Sequence, residues 1–213
     1  MKLKNGDIVV FAGDSVTDAG KIGSYMALGS GYVYYVNNIV NAFYPEITPK
    51  FINAGISGDT STDLLNRFDK DVLSQNPNYV FILIGANDIW RQFDRPCYPE
   101  QAVDLPTHLS NLEDMLKKVI SIGATPVLMP TYYIESNDSD QMKNTTLLYA
   151  QAQKDLAKKY GVEVVDVQAE FDKYLTHRYS ASLTWDRVHP GPVGSMLIAK
   201  AVLNYFKFEK KVF

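Results

Sequence analysis

The succession of apolar runs and helical patterns along the chain predicts an α/β fold, with a parallel five-stranded sheet and helices on both faces. Three observations carry this expectation. Short continuous apolar runs, such as Ile8-Val9-Val10-Phe11-Ala12 and Tyr79-Val80-Phe81-Ile82-Leu83-Ile84, read as strands buried on both faces. Segments with apolar residues three and four apart lie between them, so strand and helix alternate five times. No internal repeat and no low-complexity linker interrupts the alternation, and residues 1–213 read as one domain.

The elements follow in order. The first strand, residues 8–12, stops at Gly13, and the glycine-bearing stretch from Ser15 to Gly31 reads as a long loop. Val33, Val36, Val40 and Phe43 have helical spacing within residues 32–44, and Pro45 ends that helix. A second strand, Lys50 to Ala54, ends at Gly55, and a polar helix follows from about Ser61 to Leu73 with Asp59 or Thr60 as its cap. Strand three is Tyr79 to Ile84. Leu109, Leu112, Leu116 and Val119 oppose Glu113, Asp114, Lys117 and Lys118, which is an amphipathic helix. Thr125 to Met129 is strand four, Asn144 to Tyr160 a helix closed by Gly161, and Val162 to Val167 strand five. Pro192 suits the first turn of the last helix.

Composition bounds the partners. The 21 Lys and Arg against 24 Asp and Glu give a net charge of -3, with no basic run of five or more, which argues against nucleic-acid or membrane-surface partners. Cys97 is the only cysteine, so no intrachain disulfide forms, and its thiol reads as buried or idle. No apolar run reaches membrane-spanning length, and the chain reads as cytoplasmic. No cluster of His, Cys, Asp and Glu has metal-ligand spacing, and the glycines between 20 and 31 form no phosphate-binding fingerprint, so neither metal nor cofactor is expected.

In open parallel sheets, ligands bind beyond the carboxyl ends of the strands. Ser15, Gly58 and Asn87 fall just past strands one, two and three, and Asp186 and His189 precede the final helix, within reach of the same rim. A serine hydroxyl needs an adjacent base to attack a carbonyl; His189 is the candidate base, and Asp186, three residues earlier, the carboxylate that fixes its tautomer. Developing negative charge on the carbonyl oxygen needs preorganised N–H groups, offered by the Ser15 and Gly58 backbone and the Asn87 amide. Each short motif alone also fits a turn: Ser57-Gly58-Asp59 and Asn87-Asp88 are common turn compositions, and an isolated Gly-Asp-Ser often just caps a helix. The ordered set points instead to a serine hydrolase. Asp14 and Asp88 are expected to orient loops by accepting backbone N–H bonds, and His108 and His177 to be ordinary surface or satisfied histidines.

The chain resembles the SGNH (GDSL) hydrolases through Gly13-Asp14-Ser15, Asn53-Ala54-Gly55-Ile56-Ser57-Gly58-Asp59, Gly85-Ala86-Asn87-Asp88 and Asp186-Arg187-Val188-His189-Pro190. The resemblance implies a three-layer sandwich with flavodoxin-like topology and ester hydrolysis through an acyl-serine. Val16 stands where the family more usually has Leu or Ile, a harmless departure. The segments Ala27 to Val33, Ile89 to Asp94 and Trp185 to Pro190 are similar to intracellular acetylxylan esterases, which implies an acetylated xylo-oligosaccharide substrate. Trp90, Arg91, Trp185 and Tyr133 are then the expected rim: sugar rings pack on aromatics and Arg hydrogen-bonds hydroxyls. A short-chain lipase or acyl-thioesterase is the alternative within the family, separated by acyl-chain preference. A non-catalytic carbohydrate-binding module is the alternative outside it, opposed by the intact set of five residues. The many tyrosines and the aromatic tail (Tyr205, Phe206, Phe208, Phe213) are compatible with a homo-oligomer.

Overall fold

The computed structural model describes residues 1–23, 25–95 and 97–209. Its centre is a five-stranded parallel sheet of β1 (Ile8–Gly13), β2 (Lys50–Gly55), β3 (Tyr79–Leu83), β4 (Thr125–Leu128) and β5 (Glu163–Val164), in spatial order β2-β1-β3-β4-β5. This is the flavodoxin-like order, with the topological switch between β1 and β3. Gly13 of β1 lies level with Gly55 of β2 and Leu83 of β3, so three strands end at one rim.

Alternation along β1 explains why the sheet is covered on both sides, because successive side chains point to opposite faces. Val9 and Phe11 join the core beneath α2 (Tyr32–Phe43), α7 (Val167–Leu175) and α8 (Pro192–Tyr205), with Val33, Val36, Phe171 and Ile198. Val10 and Ala12 face the core beneath α3 (Ser61–Asp71), α5 (Leu105–Ser121) and α6 (Gln141–Tyr160), with Leu64, Phe68, Leu112 and Leu156. Phe11 stacks on Phe81 at 5.0 Å between ring centroids and meets Tyr32 edge-on at 5.5 Å.

Among the described residues, three short α-helices add to the expected alternation: α7 and two at the rim. Ser15 opens α1 (Ser15–Asp18), a single turn capped by Asp14, where the sequence reads as loop. Asn87 lies in α4 (Ala86–Asp94). Strand five is shorter than expected: Asp166 caps α7, so the valine-rich segment from 162 to 167 crosses from strand into helix. Thr60, one of the two expected caps, starts α3 with a full capping box to Asp63.

The aromatic tail is largely absorbed by the molecule itself. Phe206 is fully buried, and Phe208 packs edge-on against Phe43 and Tyr44, because α8 returns the chain across the α2 layer. Phe213 lies outside the described residues. Cys97 is exposed rather than buried. Among the described residues, no helix is long and apolar enough to cross a membrane.

Candidate active site

Gly13 and Gly55 make the nucleophile turn possible. A methyl group on Gly13 would run into the Leu83 carbonyl and the Thr17 hydroxyl, and one on Gly55 into the backbone of Asp18. The chain therefore leaves β1 pressed against its neighbours and enters α1 at once. The Asp14 carboxylate accepts the Val16 N–H at 3.0 Å and fixes that turn, so Asp14 and not Ser15 is the helix cap. Burial pushes the Asp14 carboxyl up to about 7, only partly opposed by the Val16 hydrogen bond. Asn53 holds the segment after α1: its amide donates to the carbonyls of Thr17 at 2.6 Å and Leu28 at 3.0 Å.

The turn before α8 supplies the partner. Thr184 Oγ1 accepts the N–H groups of Asp186 and Arg187 and donates to the His189 carbonyl at 2.8 Å, closing a tight loop with Arg187 at φ +69°. Asp186 Oδ1 accepts the N–H groups of Val188 at 3.0 Å and His189 at 2.7 Å, and Asp186 Oδ2 lies 2.6 Å from His189 Nδ1. His189 Nε2 is 2.7 Å from Ser15 Oγ. Residues 174 positions apart thus form a continuous Ser–His–Asp chain. Burial raises the Asp186 carboxyl, but the His189 ring and the two backbone N–H groups outweigh it and hold the acid below its ordinary range. With Nδ1–H donated to Asp186, Nε2 is left to accept the serine proton.

The glycine and asparagine signals meet on the other side of the rim. Gly58 sits at φ +93° in a turn closed by the Asp59 N–H to the Ile56 carbonyl at 3.2 Å, a conformation that favours glycine. Arg67 braces this turn: it donates to Asp59 Oδ2 at 2.6 Å, to the Ala54 carbonyl at 2.8 Å and to the Gly13 carbonyl at 3.0 Å. Asn87 is 4% exposed, and its amide donates to the Asp59 carbonyl at 2.9 Å. Asp88 takes the backbone N–H expected of it, from Ser61 at 2.9 Å, and also the Ser61 hydroxyl and His108 Nδ1. His108 is a satisfied, fully buried histidine, its partner twenty residues upstream in α4.

Three of the four expected rim residues surround this centre. The Trp185 ring, 78% exposed, lies parallel to the His189 ring at 6.0 Å, and Trp90 approaches the same imidazole at 5.6 Å. Arg91 lies one residue beyond, over the Trp90 ring. Tyr133 does not reach the rim: it is 5% exposed, because the apolar cluster of Ile89, Met142, Tyr149 and Val188 takes up its ring, and its backbone N–H donates to Gln168 at 2.8 Å. Ser15 and His189 open on a cleft of about 780 Å³ that also includes Tyr35 and Trp185. A larger polar cleft, about 990 Å³, holds Gly58, Arg91 and Asp104 but not the serine. The triad geometry, not volume, marks the smaller cleft as the chemical one. Ser57 borders one cleft and Gly58 the other, so the turn at residues 56–59 is the ridge between them.

Arg67 and Thr184 carry no signal in the sequence beyond their residue types, and Asn53 opens the second motif without its bracing role being legible there. Only the fold brings them to the rim.

Residues 11–197 match the model of the GDSL-like Lipase/Acylhydrolase family. The chain belongs to that family. An acetylxylan esterase of Geobacillus stearothermophilus is 40% identical over 214 residues, covering 98% of both chains. A crystal structure of an acetylxylan esterase from the same organism superposes with a TM-score of 0.94 over 98% of each chain. Further structures of that enzyme are of catalytic mutants at a serine, a histidine and an aspartate. An alpha/beta hydrolase enzyme from the metagenome of Lake Arreo, Spain, is 35% identical with a TM-score of 0.95, covering 99% of this chain and all of that one. As a GDSL-like hydrolase, this chain is a carboxylic ester hydrolase.

Proposed function

We propose that this chain removes acetyl groups from acetylated xylo-oligosaccharides through an acyl-serine intermediate. The observation that carries the reading is the continuous chain from Ser15 Oγ through His189 to Asp186, at 2.7 and 2.6 Å, with two indole rings flanking the imidazole. The 40% identity to an acetylxylan esterase supports the substrate class.

In this reading Ser15 Oγ attacks the acetyl carbonyl while its proton passes to His189 Nε2. Asp186 stabilises the imidazolium that forms and remains ionised. The oxyanion is received by the N–H groups of Ser15 and Gly58 and by the Asn87 amide. One Asn87 amide hydrogen is spent on the Asp59 carbonyl, which leaves the second for the substrate. His189 then protonates the departing sugar hydroxyl, and the same histidine activates the water that releases acetate. Trp185 and Trp90 offer flat apolar faces to the sugar ring. Residues 1–213 act as one domain, the single cysteine suits a reducing cytoplasm, and exposed aromatics such as Tyr179 and Trp185 supply surface for a homo-oligomer.

The test is acetate release from acetylated xylo-oligosaccharides, beside p-nitrophenyl esters from acetyl to octanoyl. Acetate release and a steep fall beyond propionyl are expected, with Ser15→Ala folded but inactive. A preference for longer acyl chains and no acetate from the sugar would move the enzyme to the lipase or thioesterase branch. Full activity of Ser15→Ala would remove the nucleophile assignment altogether.

A further inference from the structure

Asn87, Trp90, Arg91 and Asp94 stand at intervals of three, four and seven residues in α4, and so share one helix face. Their side chains form a chain along it. Arg91 Nη2 donates to Asn87 Oδ1 at 3.2 Å, and Arg91 Nη1 donates to Asp94. The guanidinium lies over the Trp90 ring, 5.7 Å from its centre, and the Trp90 ring in turn meets His189. Only 19% of the Arg91 side chain is exposed.

A primary amide has two ends of opposite character, and rotation about its last torsion exchanges them. With Oδ1 toward Arg91 and Nδ2 toward the Asp59 carbonyl, both ends of Asn87 are paired. Turned over, the amide would set its oxygen against the Asp59 carbonyl and its NH₂ against the guanidinium, two repulsive contacts. Asp59 alone offers one acceptor to select the productive orientation. Arg91 supplies the matching donor at the other end, and Asp94 and Trp90 hold that donor in place.

We propose that Arg91 is a positioning residue for the oxyanion donor: it locks the Asn87 amide with its NH₂ toward the reacting carbonyl, in place of the sugar-binding role its rim position implies. This rests on the reading of Asn87 as an oxyanion donor. The guanidinium is paired with Asp94 and bound to Asn87 Oδ1, so its donors are directed at the amide rather than at the substrate oxygen.

The experiment compares kcat and KM of the wild type, Arg91→Ala, Arg91→Lys, Asn87→Ala and the Asn87→Ala/Arg91→Ala double variant. p-Nitrophenyl acetate and an acetylated xylo-oligosaccharide are the substrates, and melting curves establish that each variant is folded. Removing one oxyanion donor costs on the order of 10²–10³ in kcat, and a misoriented amide retains part of that. Arg91→Ala is therefore expected to lower kcat about 10- to 100-fold on both esters with KM changed less than about two-fold. Arg91→Lys falls between it and the wild type. In the Asn87→Ala background, removing Arg91 is expected to cost less than about two-fold. A loss confined to KM for the sugar ester would make Arg91 a sugar contact and overturn the proposal. So would an undiminished kcat loss in the Asn87→Ala background. Full activity of Asn87→Ala would instead overturn the oxyanion reading on which the proposal stands. Should Arg91→Ala fail to fold, Asp94→Asn loosens the guanidinium alone, and an unchanged kcat there would count against the lock.

Discussion

Asp88→Asn replaces the carboxylate at the centre of a buried polar network. Asp88 and His108 are both fully buried. The carboxylate accepts the Ser61 N–H at 2.9 Å, the Ser61 hydroxyl and His108 Nδ1 at 2.9 Å. His108 Nε2 lies 2.6 Å from the Gln153 amide, whose oxygen takes the Thr131 N–H at 2.7 Å. One ion thereby ties the start of α3 to α4, α5, α6 and the segment after β4. An asparagine there presents an NH₂ to a group that itself donates, so either Ser61 or His108 loses its acceptor. A hydrogen bond to a charged group contributes about 1.5–3 kcal/mol, and a stranded buried donor costs a further ~1–3 kcal/mol. The expected destabilisation is about 3–5 kcal/mol, comparable with breaking a buried ion pair. At about 2–4 °C per kcal/mol for a chain of this size, the melting temperature falls by roughly 6–20 °C. Urea unfolding with an unchanged slope gives the free energy directly. A loss below about 1 kcal/mol would refute the reasoning, since it would mean that desolvating the wild-type ion already costs as much as its bonds return.

Asp186→Asn keeps the backbone acceptor but loses the charge that stabilises the imidazolium; kcat should fall roughly 10³–10⁴-fold, and a loss under ten-fold would remove Asp186 from the mechanism. The Asp186 carboxyl is held below its unfolded value, so its stabilising contribution is present above about pH 4 and is lost as pH falls through the depressed value. The gap in melting temperature between wild type and Asp186→Asn should therefore narrow in acid; a gap independent of pH would contradict the shift. Asp14 has the opposite sign. Raised to about 7, it binds more protons folded than unfolded between about pH 4 and 7, so wild-type stability declines across that window as pH rises. Asp14→Asn preserves an acceptor for the Val16 N–H and removes the titration, so its stability should fall less between pH 5 and pH 8; parallel curves for the two proteins would rule this out.

The parts of the molecule that are local in sequence are those most readable from it. Asp186 and His189 interact across a three-residue turn, and Gly13-Asp14-Ser15 is one bend, so spacing alone places them. β1 and β3 are apolar on both faces, which a central parallel strand requires, and their boundaries agree with the sequence to within a residue or two. Asn87 is different. Gly85-Ala86-Asn87-Asp88 has turn composition, and what makes it helical is burial of Ile89 against Tyr133 and Val188, a tertiary contact that propensity does not contain. The end of β5 is hidden for the converse reason: four valines run through residues 162–167 on either side of Glu163 and Asp166, and Asp166 divides the segment between strand and helix. Tyr133 shows the limit of reading aromatics as a rim, since an aromatic beside a cleft and an aromatic beneath it look alike in one dimension. Arg67 and Arg91 are both polar residues on helices, and nothing in their spacing distinguishes a brace for the Gly58 turn or the Asn87 amide from a solvated surface charge.

The chain has only two tryptophans, and both rings stand within about 6 Å of the His189 imidazole. The emission of an indole depends on what lies against its ring. The whole tryptophan emission of this protein is consequently an optical reporter of the surroundings of one imidazole. It should change when a molecule enters between the rings, with no label attached. Trp185→Phe and Trp90→Phe would divide the signal between the stacked and the tilted ring.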